Sequence, residues 1–206
     1  MATQDRPQIT LITPPVLDLE VFPQILARVM DGVEIACLRL SLATKDPDDI
    51  GRAADACRLI AHARDVAIVI ETHALFVERH GLDGIHLTDG ARSVRALRKD
   101  LGADAIVGAY CGITRHEGMT AGESGADYVS FGPIGEAGLG LGTQAPRDLF
   151  EWWTEMIEVP VIAEGALTRA LVESFAPVSD FFAIGPEIWT TEDPLTALKA
   201  LLSPIL

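Results

Sequence analysis

The chain has 206 residues, 49% hydrophobic and 22% charged, with a formal net charge of −14. That length suits one compact domain with a sizeable core, and the acidic balance excludes nucleic acid and anionic membrane surfaces as expected partners. Mean hydropathy is high at +0.26. Yet no apolar run approaches the roughly 18 to 20 residues that span a bilayer, and the N-terminus lacks a signal-peptide layout. A cytoplasmic protein, with its apolar excess buried on both faces of a parallel sheet, is expected.

In chain order, short β-rich runs alternate with helix-length amphipathic segments. ITLIT (9–13) is followed by LEVFPQILARVMDG, whose closing Gly32 suits the position just past a helix end. VEIACLRL (33–40) precedes DPDDIGRAADACRLIAHAR, where Asp46 is an N-cap candidate with Pro47, Asp48 and Asp49 in the first turn. VAIVI (66–70) leads through ETHALFVERHG to GIHL (84–87), and ARSVRALRKDLG follows. AIVGAY (105–110) precedes TRHEGMTAGESG. YVSFG (128–132) runs into the Gly-rich stretch 133–146 and then APRDLFEWWTEMIE. VPVIAEG (159–165), LTRALVESFA, FFAIG (181–185) and TTEDPLTALKALLSPIL complete the chain.

Eight strand–helix repeats without a hairpin signal predict one closed (β/α)8 TIM barrel over residues 1–206. The alternative, an open doubly wound sheet, usually has a Gly-rich turn after its first strand; here that turn is TPPVLD. The stretch 133–146 reads as an active-site lid or a disordered tip. Cys37, Cys57 and Cys111 form no C-x-x-C pair and read as buried reduced thiols. Trp152 and Trp153 either cap the barrel wall or leave a homo-oligomer open.

In such a barrel the site lies at the C-terminal strand ends. Those ends offer Arg39, Ser41, Glu71, Thr72, His73, His86, Thr88, Asp89, Tyr110, Ser130, Gly132, Glu164, Gly165, Gly185 and Glu187. Gly165 and Gly185 stand where the seventh and eighth strands turn into helices, the place where barrels often bind phosphate through backbone N–H groups. Against that reading, Pro186 donates no N–H and Glu187 repels an anion. Glu71, Asp89 and Glu164 are candidate ligands for a hard cation such as Mg²⁺, or else solvated or N-capping acids; Thr72 and Thr88 could likewise cap helices. Among the histidines, His80 sits before Gly81 at a helix end, and His62 and His116 fall on helices. His86 reads as an interior or a catalytic residue, and His73 is left open. No zinc-site spacing, P-loop or nucleophile elbow is present, and no organic cofactor is expected.

The segments GVEIACLRL, LDGIHLTDG, IVGAYC, GADYVSFGPI, VPVIAEGAL and FFAIGPEI resemble, in order and spacing, the thiamine phosphate synthase and thiazole tautomerase superfamily over residues 9–188. The most specific piece, GADYVSFGPI, is similar to the family's GADYIGVGPI pattern. The resemblance implies a (β/α)8 barrel. It also implies a transferase that joins hydroxymethylpyrimidine diphosphate to thiazole phosphate, with Mg²⁺ on the diphosphate, and releases pyrophosphate. The pyrimidine departs as a cation and the enzyme chiefly stabilises the leaving diphosphate.

The chain departs from the family at several positions. The strand-two motif Gln-Leu-Arg-x-Lys is Cys37-Leu38-Arg39-Leu40-Ser41 here. The strand-three Asn-Asp is Glu71-Thr72, and the second metal Asp of strand four falls on Ala91, with Asp89 nearby. The strand-five Ser is Tyr110, the stretch 133–146 contains no Lys or Arg, Gly-Gly of strand seven is Gly165-Ala166, and the strand-eight Ser is Pro186. The implied roles are Arg39 as anion contact and Glu71 and His86 as catalytic groups. Glu71 and Asp89 would be the metal ligands, and Gly132, Gly165, Ala166, Gly185 and Tyr110 would contact a small phosphorylated or thiazole- or pyrimidine-type ligand. Two rival readings are a non-catalytic or regulatory ligand-binding barrel and a different transformation that uses Glu71, His86 or Glu164 as acid–base groups.

Overall fold

The computed structural model describes residues 6–136 and 143–206. The strands are Gln8–Ile12 (β1), Cys37–Leu40 (β2), Ala67–Glu71 (β3), Gly84–Leu87 (β4), Ile106–Tyr110 (β5), Tyr128–Phe131 (β6), Val161–Glu164 (β7) and Phe181–Ile184 (β8). All are parallel and pair in chain order, with β8 returning to β1, so the sheet closes as the (β/α)8 barrel that the repeats predict. The helices between them are Phe22–Gly32 (α1), Pro47–His62 (α2), Leu75–His80 (α3), Val94–Leu101 (α4), Arg115–Glu123 (α5), Arg147–Met156 (α6) and Arg169–Phe175 (α7). Two more, Pro186–Trp189 (α8) and Pro194–Leu202 (α9), follow β8. Among the described residues no helix is long and apolar enough to cross a membrane.

Each strand divides its side chains by parity, as a pleated strand must. Leu38 and Leu40, Ile68 and Ile70, Val129 and Phe131, and Phe182 and Ile184 all join one apolar layer between sheet and helices. The intervening residues line the inside, where Tyr128, Ile162 and Ala183 make a small apolar cluster of their own. Gly108 belongs to this inner face for want of space: a Cβ there would lie 1.9 Å from Cζ of Tyr128.

Local signals were kept in some places and overruled in others. Asp46 caps α2, accepting from the N–H groups of Asp48 at 2.9 Å and Asp49 at 3.1 Å. Gly81, at φ +61°, ends α3 behind His80, whose ring stacks on Phe76 and whose Nδ1 pairs with Asp55 at 3.0 Å. Gly32, however, is not a left-handed cap. It lies inside the last turn of α1, where a Cβ would come within 2.4 Å of a Leu195 methyl. The run 33–40 is a strand only from Cys37; Val33 and Ile35 bury against the helices before pairing begins. Thr72 and Thr88 cap no helix, since α3 and α4 have Ala74 and Ser93 at their N-caps without side-chain bonds. Trp153 turns fully inward against Phe131, its indole N–H donating to the Val159 carbonyl at 2.7 Å. Trp152 is half-buried beneath the guanidinium of Arg115, 4.6 Å from its ring.

Candidate active site

A cavity of about 450 Å³ opens at the C-terminal strand ends, lined by Glu71, His86, Thr88, Tyr110, Pro133, Glu164 and Gly165. Parity explains most of this lining. Glu71 pairs in register with His86, and Tyr110 with Ser130, so these side chains share the inner face of neighbouring strands. A cavity of about 500 Å³ lies elsewhere, between the loop after β1 and α2, and its single arginine, Arg52, is already bound to Asp49. The mouth, where Glu71, His86, Tyr110 and Glu164 converge at the C-terminal strand ends, is the candidate site.

Arg39 projects from β2 into the barrel, 1% exposed, and its Nη2 donates to Glu164 at 2.8 Å. Burial alone would make this guanidinium easier to deprotonate; the Glu164 carboxylate, helped by Glu71, more than offsets it and keeps the charge. Beside it the Ser41 hydroxyl donates to Glu71 at 2.5 Å, while the Ser41 N–H donates to the Thr13 hydroxyl. Glu71 is thus aimed into the mouth by a neighbouring strand. The Tyr110 phenol donates to the Gly132 carbonyl at 2.5 Å, and burial together with Glu164 and Cys111 raises its pKa.

Beneath the cavity lies His86, fully buried, sharing a 3.0 Å hydrogen bond between Nδ1 and the Tyr128 hydroxyl. Burial, and then Arg39, hold the imidazole well below its ordinary pKa, so it is neutral at physiological pH. Burial raises the Tyr128 phenol, which stays protonated. His86 Nε2, Arg39 Nε and Ser130 Oγ have no protein partner among the described residues. Cys57 and Cys111 are buried and Cys37 is half-buried; desolvation pushes all three thiols up to about 12, which suits unreactive cysteines.

Several expected site residues take other places. Asp89 is exposed and accepts from the Ser93 hydroxyl at 2.6 Å, because the chain turns away at Gly90, φ +69°. Glu71, Asp89 and Glu164 do not gather, and among the described residues no group of three His, Cys, Asp or Glu is arranged to hold a metal. A Mg²⁺ held at the mouth would rest on Glu71 and Glu164 together with oxygens of a substrate diphosphate. Gly132 is spoken for by the fold: its N–H donates to Gly112 and its carbonyl accepts from Tyr110. The Gly185 N–H donates to Glu187. Gly165, at φ +88°, lines the mouth, and Ala166 follows it at φ +54°, a left-handed conformation that costs a non-glycine residue energy and often marks a functional loop. Of the stretch 133–146, residues 137–142 lie outside the described residues, and the lid expectation with them.

Sequence reading passed over Tyr128, the partner of His86; strand parity with Ser130 would have placed it inside. Glu164 was expected at the mouth, as an acid–base group or a cation ligand, but nothing local announces its pairing with Arg39 across 125 residues.

A closed parallel barrel with a cavity at its C-terminal strand ends, apolar-walled with a few polar side chains, is a (β/α)8 barrel built like those that bind or transform small molecules. Its sequence matches the thiamine monophosphate synthase profile over residues 9–179, so the chain belongs to that family. It is 38% identical over 191 residues to the thiamine-phosphate synthase of Rhodospirillum centenum, covering 88% of this chain and 89% of that protein. To the thiamine-phosphate synthase of Erythrobacter litoralis it is 33% identical over 205 residues, covering 94% and 93%. The solved thiamine phosphate pyrophosphorylase from Pyrococcus furiosus superposes with a TM-score of 0.81 at 16% identity, over 96% of this chain and 95% of that one, a likeness of fold.

Proposed function

We propose that this protein is a thiamine phosphate synthase-type transferase of thiamine biosynthesis. At the barrel mouth it joins a hydroxymethylpyrimidine carried on a diphosphate to a thiazole. The C–O bond to the diphosphate breaks with its electron pair, and the thiazole nitrogen supplies the pair for the new C–N bond. The observation that carries this reading is the mouth cavity, lined from four strands in a chain 38% identical to a protein named thiamine-phosphate synthase. Glu164 and Glu71, both held by neighbours, face a reaction that makes positive charge, first on the pyrimidine methylene and then on the thiazolium. Preoriented carboxylates stabilise such charge without reorganising. Tyr110 and Pro133 offer flat, largely apolar walls to a heteroaromatic ring.

Incubation with both precursors in Mg²⁺-containing buffer tests it directly. Thiamine phosphate is expected, and Glu71→Gln is expected to slow its formation by about 10- to 100-fold, the order of one electrostatic contact to developing charge. A single observation favours the rival ligand-binding barrel. Among the residues that line the mouth there are two carboxylates and no cation, Arg39 being buried behind Glu164. Absence of product, with thermal stabilisation by a thiazole alone, would select that reading instead.

A further inference from the structure

Inside the barrel, β5 leaves out a side chain and two others meet in its place. Gly108 pairs in register with His86 of β4 on one side and with Tyr128 of β6 on the other. A Cβ at Gly108 would lie 2.4 Å from the Tyr128 hydroxyl oxygen. With no side chain there, Tyr128 reaches across β5. Its ring lies within 16° of parallel to the imidazole, and its hydroxyl comes 3.0 Å from Nδ1. Among the described residues the phenol has no other hydrogen-bond partner, and His86 Nε2 has none. Two proton arrangements are open to such a pair. If Nδ1 carries the proton and donates, the phenol O–H is left unpaired in addition to Nε2. If the phenol donates, only Nε2–H is left, and it belongs to a side chain that lines the mouth. A buried donor without an acceptor is costly, so the second arrangement prevails.

We propose that Tyr128 is a positioning residue: its hydroxyl donates to Nδ1 of His86 and so holds His86 as the Nε2–H tautomer, with one neutral donor left for a ring nitrogen of the pyrimidine substrate. The identity of that ligand rests on the transferase reading above. Among the side chains that line the mouth, Glu71 and Glu164 are acceptors, Tyr110 uses its proton on the Gly132 carbonyl and Thr88 is exposed, so His86 is the buried side-chain donor. The thiazole nitrogen needs its lone pair for the new C–N bond, which leaves a pyrimidine nitrogen to accept. A neutral donor also suits the chemistry. It orients the ring without setting a full positive charge against a pyrimidine that is itself becoming cationic. Such a contact is made in the ground and transition states alike, so it acts chiefly on binding.

Long-range ¹H–¹⁵N NMR on the labelled full-length protein at neutral pH tests the assignment, with His86→Gln identifying the resonances. For His86, wild type is expected to show a pyrrole-type Nε2 and a pyridine-type Nδ1. Hydroxymethylpyrimidine is expected to shift the Nε2 proton downfield. Tyr128→Phe keeps the ring and removes the donor, and is expected to lose the single tautomer. Its KM for the pyrimidine diphosphate is expected to rise about three- to tenfold, the scale of one neutral hydrogen bond, with a smaller change in kcat. A protonated Nδ1 in wild type, or an unchanged Nε2–H tautomer in Tyr128→Phe, overturns the assignment, as does a loss confined to kcat. If Tyr128→Phe does not fold, the wild-type spectrum decides alone: a protonated Nδ1 overturns the proposal, and the Nε2–H form shifted by hydroxymethylpyrimidine supports it. Failure of the functional reading looks different. There is then no turnover and no effect of hydroxymethylpyrimidine on His86, while wild type still holds one tautomer and Tyr128→Phe still loses it.

Discussion

Arg39 is a full positive charge inside a barrel, and its neighbours make that tolerable. Glu164 stands 2.8 Å away with its side chain 14% exposed, so the pair is little screened. Breaking such a pair from one side leaves an unpaired buried charge, which costs about 3–5 kcal/mol, whereas replacing both partners by apolar groups is often close to neutral. Glu164→Gln is therefore expected to lower the unfolding free energy by about 3–5 kcal/mol in urea melts. Arg39→Met with Glu164→Leu is expected to fall well short of that loss; a double variant as unstable as Glu164→Gln would deny the pair its role. His86 gives the opposite kind of prediction. Its folded pKa lies well below the ordinary value, by burial and then by Arg39. Below about pH 6.5 the unfolded chain takes up a proton that the folded chain refuses, so stability must fall as pH falls from there. The slope contributed is up to about 1.4 kcal/mol per pH unit until the folded group also titrates. His86→Gln removes that slope. Melts of both proteins between pH 5 and 7 measure the difference, and parallel curves would mean that His86 does not stay neutral in the fold.

At the scale of elements, the strands were legible because each is a short β-rich run bounded by a helix-length amphipathic segment. Their ends were not, because pairing begins where a neighbour is reached: Val33 to Ile35 have the propensity, but contact with β1 begins with the Ala36 N–H donating to the Ile9 carbonyl, and Cys37 is the first residue in register with Thr10. Asp46 was readable because its cap is made within three residues. Thr72 was misread because its loop takes φ +61° and its hydroxyl bonds the Glu71 carbonyl. β5 and β6 fit closely inside the barrel. The Tyr128 ring fills the space a side chain at Gly108 would need, with Cε2 2.3 Å from the would-be Cβ. Gly108→Ala must push the ring off its bond with His86, and overpacking of this severity costs about 3 kcal/mol. Adding Tyr128→Leu is expected to recover part of the loss, since the smaller branched side chain vacates the ring position. The coupling is read from a double-mutant cycle in melts; strictly additive losses would show that the two residues do not compete for the same space.

For the molecule as a whole, the barrel was readable from its eight repeats, while the site was readable only as a set of strand ends. Which ends cooperate depends on contacts between distant segments: Arg39 with Glu164, Ser41 with Glu71, and Glu187 with Leu167. Periodicity places a residue on a face; it does not choose its partner. Net charge is the one global property that speaks to function without such contacts. At −14, with two carboxylates and no cation lining the mouth among the described residues, the protein repels an approaching diphosphate at a distance. Screening should therefore help binding, the reverse of what a basic phosphate site shows. The Debye length shrinks from about 30 Å at 0.01 M salt to about 8 Å at 0.15 M. Over that range the long-range repulsion largely disappears, while the short contacts inside the mouth are screened much less. Raising NaCl from 10 to 150 mM at constant Mg²⁺ is expected to lower the KM for the pyrimidine diphosphate, or the Kd of inorganic pyrophosphate by calorimetry, by about two- to fivefold. Affinity for an uncharged thiazole alcohol is expected to stay level across the same series. Weakening of the diphosphate with added salt would mean that local cations outweigh the field of the whole protein. The arginines to examine would then be Arg92, exposed on the loop before α4, and Arg115, which lies over Trp152.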